Sequence, residues 1–296
     1  MRAKTLFCLS MAGVFITACS SSDSSHTEKS SLNADSLSAG KDSGRVSGDA
    51  FVNNRLEGFY VGDFEAVKEN YDHDKVPMSV NRINISIDTI KGGKIYGHSV
   101  VAGNIRPFVG SYFIKNGIYE VEAKEPGNDQ YDGVFIFSLD PETNDMIGKW
   151  VANNKKLAVP ERSYVLSRST FSYDPTLSIE NVSADVFNVT GMEPESHEHI
   201  TPDAGKINAS TTRLVKEDVE NMYKRDLEVM RNAIYARHGY SFKNREMRDF
   251  FDKHVSWYIP VSTDITKDLT ELEKKNIVLI KRYEQHAETY YDSFGR

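Results

Sequence analysis

A chain of 296 residues is long enough for about two domains, and its 39% hydrophobic and 27% charged residues are ordinary for globular units joined by polar linkers. A formal net charge of -7 argues against a nucleic-acid partner, which needs clustered Lys and Arg to meet phosphate, and equally against a polybasic helix on a membrane surface. Both cysteines, Cys8 and Cys19, stand near the start, which leaves the remainder without a thiol or a disulfide.

Arg2 and Lys4 precede an apolar run, Leu6 to Ile16, too short to span a bilayer as a mature helix. Ile16-Thr17-Ala18-Cys19 then resembles the lipobox of bacterial lipoproteins. The resemblance implies a signal peptide over 1–18 and acyl chains on Cys19; an ordinary secretory signal followed by a free cysteine is the other reading. Each buried methylene stabilises membrane attachment by about 0.8 kcal/mol, so several chains anchor durably. Ser20 after the cysteine resembles the sorting context of outer-membrane lipoproteins. The expected location is therefore the cell envelope, lipid-anchored at the outer membrane. Residues 19–50 are Ser-rich and nearly free of large apolar side chains, the composition of a disordered tether with a reach of roughly 30 Å.

From 51 to 170 the pattern changes to period two. Ile83, Ile85 and Ile87 alternate with Asn84, Ser86 and Asp88, as in a strand with one buried face. Turn residues at Gly92-Gly93, Asn116-Gly117, Gly127 to Asp129 and Pro141 to Asn144 separate candidate strands at 57–66, 80–90, 95–102, 105–114, 118–123, 133–140, 146–151 and 162–169. About eight short antiparallel strands joined by hairpins predict a barrel or a strongly coiled sheet, similar in pattern to calycin-type β-barrels. Val134-Phe135-Ile136-Phe137 is apolar on both faces, which places that strand centrally or under a second domain.

Residues 171–211 have little periodicity and read as a connector that wraps over the barrel. Helical spacing begins in the segment 212–286. Tyr223, Leu227, Met230 and Ile234 form one apolar face, and Gly239 supplies the left-handed residue that closes a helix. Arg231, Tyr235 and His238 fall at i, i+4 and i+7 on a second face, while Arg237 and His238 suit the negative end of the helix dipole. Asn244 can cap a second helix, and Thr270 to Glu273 fits a capping box opening a third, whose stripe Leu272, Asn276, Leu279, Tyr283 contains a polar residue. Residues 287–296 form a tail.

Arg231-Asn232, Tyr235 to Gly239, Phe242, Phe250-Phe251, Trp257 to Pro260 and Glu273 to Ile277 together resemble the YARHG domain, a module of bacterial extracytoplasmic proteins, from about Leu214 to Glu284. The resemblance implies a small, mainly helical unit and brings no catalytic residues. The expected fold is thus multidomain, an antiparallel barrel followed by a helical YARHG module.

A polar side chain in a packed stripe needs a partner, so Asn276 is expected to meet Arg231 or Asn232 across the helix pair and to tie to backbone carbonyls, with a ligand-facing cluster as the alternative. His238 reads as a structural cap, with a ligand contact or general base as the alternative. Trp257 and Tyr258 form either a stacking platform for a sugar ring or a core plug. Other motifs fall short. Val101 breaks the nucleophile-elbow likeness of Gly97-His98-Ser99. His197-Glu198-His199 lacks the spacing of a helical zinc pair, and Glu125, Asn128, Asp129 and Asp132 read as a hairpin turn before a calcium loop. No cofactor, metal or catalytic residue is expected. The first functional reading is a non-catalytic binding or scaffolding lipoprotein facing peptidoglycan, another envelope glycan or an envelope protein. A lipocalin-like carrier of an apolar ligand is the alternative, and an envelope hydrolase using His238 is a third.

Overall fold

Eight antiparallel strands close into a barrel: β1 (Gly58–Lys68), β2 (Val80–Lys91), β3 (Lys94–Val101), β4 (Asn104–Lys115), β5 (Ile118–Lys124), β6 (Gly133–Leu139), β7 (Asp145–Ala152) and β8 (Glu161–Ser169). Each strand pairs with its neighbours in sequence, and β1 closes the ring on β8. This computed structural model describes residues 56–70, 77–179 and 200–290, all within the compact unit Val46–Arg296. The signal segment, Cys19, the tether, the His197-Glu198-His199 run and the end of the tail lie outside the described residues.

Period two decides what faces inward. Tyr119, Val121 and Ala123 of β5 and Phe135, Phe137 and Leu139 of β6 share one core with Ile83, Ile85 and Ile87 of β2. The turns decide the register. Gly92-Gly93, Ala102-Gly103 and Asn116-Gly117 all have positive φ at both central residues, the hairpin geometry whose twist matches the flanking strands. Ala102, at φ 51, is the one that sequence would not nominate. Its hairpin is held from outside, because Gly103 N–H donates to Ser241 Oγ at 2.9 Å and a Cβ on Gly103 would collide with Lys243.

Among the described residues five helices follow: α1 (Asp203–Lys206), α2 (Lys216–Val219), α3 (Lys224–Arg237), α4 (Arg245–His254) and α5 (Glu271–Tyr290). The local caps form as expected. Asn244 Oδ1 accepts from Met247 N–H at 2.9 Å, Thr270 and Glu273 make the reciprocal pair, and Gly239 closes α3 at φ 72. α3 is buried on two sides, not one. Leu227, Met230 and Ile234 pack with Ile277 and Ile280 of α5, while Val229, Ala233 and Ala236 pack with Phe250 and Phe251 of α4. Tyr223 stands outside that stripe, 43% exposed. On α5 the buried stripe is Glu273, Asn276, Ile277 and Ile280, one position on from the predicted one.

One tertiary expectation is corrected. The strand buried on both faces is β2; Ile136 of β6 is exposed to solvent. The polar face of β2 faces the helices, where Arg82 N–H donates to Asp252 Oδ2 (2.8 Å), Arg82 Nη1 to the Val255 and Tyr258 carbonyls, and Asn84 Nδ2 to the Pro260 carbonyl. The described part of the connector finds its partners in the helices. Tyr173 stacks on His238, and the Leu177 and Ser178 carbonyls accept from Arg237 and Trp257.

Candidate functional site

The helix expected to carry the site divides its residues between two places. Arg237 and His238 turn into the body of the module. Arg237 is buried, donates to the Leu177 carbonyl (2.7 Å) and Ser210 Oγ (3.3 Å), and lies over the Trp257 ring. Burial pulls its guanidinium down to about 10. His238 is buried under Tyr173, ring centroids 4.1 Å apart, with Nε2 at 2.9 Å from Glu273 Oε2. Burial alone would raise the Glu273 carboxyl; hydrogen bonds from His238 and Thr270 outweigh it and hold the group at about 2. The same carboxylate accepts from Tyr173 Oη through its other oxygen. One buried acid therefore ties connector, α3 and α5 together.

Arg231, Asn232 and Tyr235 instead line an open groove of about 540 Å³ that runs past Asn244 and Asp264. Arg231 is not bare there, since Nε donates to Glu284 Oε1 at 2.7 Å. Although burial works against its charge, that bond raises its pKa. Asn276 meets neither Arg231 nor Asn232. Its oxygen accepts from Leu214 N–H and its amide donates to the Ala209 and Thr212 carbonyls, so it pins the chain entering α2 to α5. Tyr258 is a core plug whose hydroxyl donates to the Tyr240 carbonyl. Trp257 is half-buried and edges a second groove, about 610 Å³, between Val61, Asp63, Arg82, Ile147 and Val165 of the barrel wall and the segment before Pro260.

A third space lies at one mouth of the barrel. At the end where β5, β7 and the β3–β4 hairpin finish, the aromatic core stops short and leaves a chamber of about 560 Å³. Phe64, Phe135 and Trp150 form its apolar floor, and Leu157 and Val159 its side. Glu125, Arg106 and Arg162 stand among them, and Arg248 reaches in from α4. Glu125 Oε2 accepts from Gly133 N–H (2.6 Å) and Trp150 Nε1 (3.0 Å). Burial, opposed by those two bonds, raises this carboxyl to about 7. Gly133 is required at that spot, because a Cβ there would lie 2.6 Å from the Trp150 indole nitrogen. Arg106 is matched by Asp129 (3.4 Å) and Asp132 (3.3 Å). Asp132 and Asp129 also accept backbone N–H groups of their own turn, so the acidic run closes a loop.

Residues 204–285 match the YARHG domain family. No curated protein and no solved structure matches the chain. The match reaches upstream of Leu214 and takes in α1 from its second residue on. Within the YARHG module, the Arg237-His238-Gly239 end of the named run is interior, while Tyr235 faces the groove beside Arg231. The lipocalin-like alternative allowed for a space in the barrel, but the charged residues that line this one were not singled out from sequence, although a signal was there. Arg106 has the parity of Phe108, Arg162 that of Tyr164 and Leu166, and Glu125 that of Val121 and Ala123. A charge on the inward parity at a strand end marks a barrel mouth.

Proposed function

We propose that this chain is a lipid-anchored binding protein of the bacterial cell envelope, in which the barrel receives a small ligand at its mouth and the YARHG helices brace the barrel wall. The observation that carries the reading is the chamber: concave, aromatic-floored, with a few convergent polar groups and a carboxyl shifted to about 7. The YARHG module is typical of extracytoplasmic proteins, which supports the envelope placement, and the lipobox-like Ile16 to Cys19 supports the anchor. The burial of His238 against Glu273 supports bracing over catalysis, since a general base needs access to its substrate.

Filling the chamber tests the reading. Leu157→Trp should abolish binding of amphiphilic dyes to the barrel while the circular dichroism spectrum stays unchanged; undiminished binding would remove the chamber as the site. For the anchor, Cys19→Ala should move the protein from the membrane fraction to the soluble one. A second reading, scaffolding on an envelope glycan, is favoured by the Trp257 groove, where an indole lies beside Asp63 and Arg82. Pull-down on purified peptidoglycan, compared with Trp257→Ala, decides it.

A further inference from the structure

Two guanidinium groups converge on the chamber from the two halves of the molecule. Arg162 comes from the first residues of β8 and Arg248 from the first turns of α4. Both reach Met78. Arg162 Nη2 donates to its carbonyl at 2.8 Å, and Arg248 Nη2 lies 3.1 Å from its sulfur. Their other acceptors are equally neutral. Arg162 Nη1 bonds the Phe64 and Ser79 carbonyls; Arg248 bonds Asn81 Oδ1 and the Phe242 and Lys243 carbonyls.

Among the described residues neither group has a carboxylate within ion-pair distance, whereas Arg106, Arg225 and Arg231 each have at least one. Burial lowers the pKa of both; the more distant carboxylates of Glu69 on Arg162 and of Asp252 and Asp249 on Arg248 oppose it without cancelling it, and on Arg162 the charge of Arg248 adds to the lowering. Two like charges held together and partly dehydrated are stabilised by an anion that both can reach, and guanidinium donors suit carboxylate and phosphate oxygens. The acids of the chamber are engaged elsewhere, Asp129 with Arg106 and Glu125 with Trp150 and Gly133. Below the two arginines lie Phe64, Phe135 and Trp150, with the Arg162 guanidinium over the Phe64 ring.

We propose that the chamber selects a small amphiphile whose anionic head, a carboxylate or phosphate group, sits between Arg162 and Arg248 and whose apolar body rests on Phe64, Phe135 and Trp150. The inference rests on the chamber being the binding site and adds the chemistry of the ligand. Because one arginine belongs to the barrel and the other to the YARHG module, the bound head also links the two.

The test is a fluorescence titration of the full chain carrying Cys19→Ser, at low salt, with two dyes of similar body: anilinonaphthalene sulfonate, which is anionic, and phenylnaphthylamine, which is neutral. The sulfonate should bind at least about tenfold tighter, and Arg248→Gln should remove that advantage while leaving the neutral dye unchanged. Arg162→Gln should do the same; should that buried substitution prevent folding, Arg248→Gln alone carries the test. Displacement of the sulfonate by inorganic phosphate would identify a free anion as sufficient, and failure to displace would identify the amphiphile; both support the paired-arginine site. Equal affinity for the two dyes, or a sulfonate affinity unmoved by Arg248→Gln, would overturn it. If both dyes are then lost in Leu157→Trp, the chamber stands and only the anion preference falls. If neither dye binds, both ideas fall.

Discussion

The barrel and the helical module are held by different physics. At the closed end of the barrel the interior is apolar: Ile85, Ile87, Ile95, Phe137, Leu139 and Met146 bury their side chains against one another. The helices carry apolar clusters too, yet their geometry is set by buried polar groups, namely Glu273 with His238 and Tyr173, Asn276 with three backbone groups, and Asp226 with Thr201. Apolar packing is tolerant of shape-conserving exchange, whereas a buried polar group deprived of its partner keeps its full desolvation cost. The two regions should therefore fail in different ways.

The sharpest separation should come from His238→Ala. It takes from the fully buried Glu273 carboxylate the hydrogen bond to His238 at 2.9 Å and should cost more than about 3 kcal/mol in urea unfolding. Asn276→Leu, nearly equal in size, strands one N–H and two carbonyls and should cost about 3 kcal/mol. Ile85→Leu in the barrel should cost less than about 1.5 kcal/mol. Equal costs for the last two would dissolve the contrast.

Acid should separate the regions further. Asp252 at the interface and Glu125 in the chamber are raised by burial to about 7, and Asp226 to about 6. For such groups the folded state binds more protons than the unfolded one, so stability falls as pH rises through these values and grows on acidification. Glu273 has the opposite sign. Its contribution is present above the ordinary glutamate value near 4.5 and is lost as pH falls toward about 2. The melting temperature should thus climb from pH 8 to about pH 5 and drop below about pH 4. Asp252→Asn should flatten the climb; an unaltered slope would show that the interface carboxylate is not its source. The smallest effect belongs to Arg231→Ala. Its pair with Glu284 is partly solvated, 18% and 13% exposed, so the loss should be about 1 kcal/mol.

How much of this was legible follows from the range of each interaction. The strands, the Gly92-Gly93 and Asn116-Gly117 turns, the Asn244 cap and the Thr270–Glu273 box could be read because each rests on residues a few positions apart. The face assignment of Arg231, Tyr235 and His238 failed at its last member. His238 is the residue at which α3 ends, φ -86 and ψ 6, so helical spacing no longer fixes its direction. Asn276 was correctly singled out as needing partners and bonds backbone carbonyls as expected, but they belong to the loop before α2, and Arg231 and Asn232 are not among its partners.

By itself, then, the sequence determined about eight hairpin-joined strands, as a barrel or a strongly coiled sheet, followed by capped helices bearing a YARHG module, because alternation, turn chemistry and capping are local and repeat along the chain; closure of β1 on β8 is a long-range pairing. Only the tertiary structure decided which polar groups leave water. Arg82 and Asp252 are 170 positions apart, and nothing near either says that β2 will bury its hydrophilic face against α4. The same holds for Arg162 and Arg248: the strand parity of Arg162 points inward, but nothing local says that Arg248 of α4 will reach Met78 as Arg162 does, above an aromatic floor. A side chain's burial is fixed by what packs on it from afar, and local pattern carries no record of that.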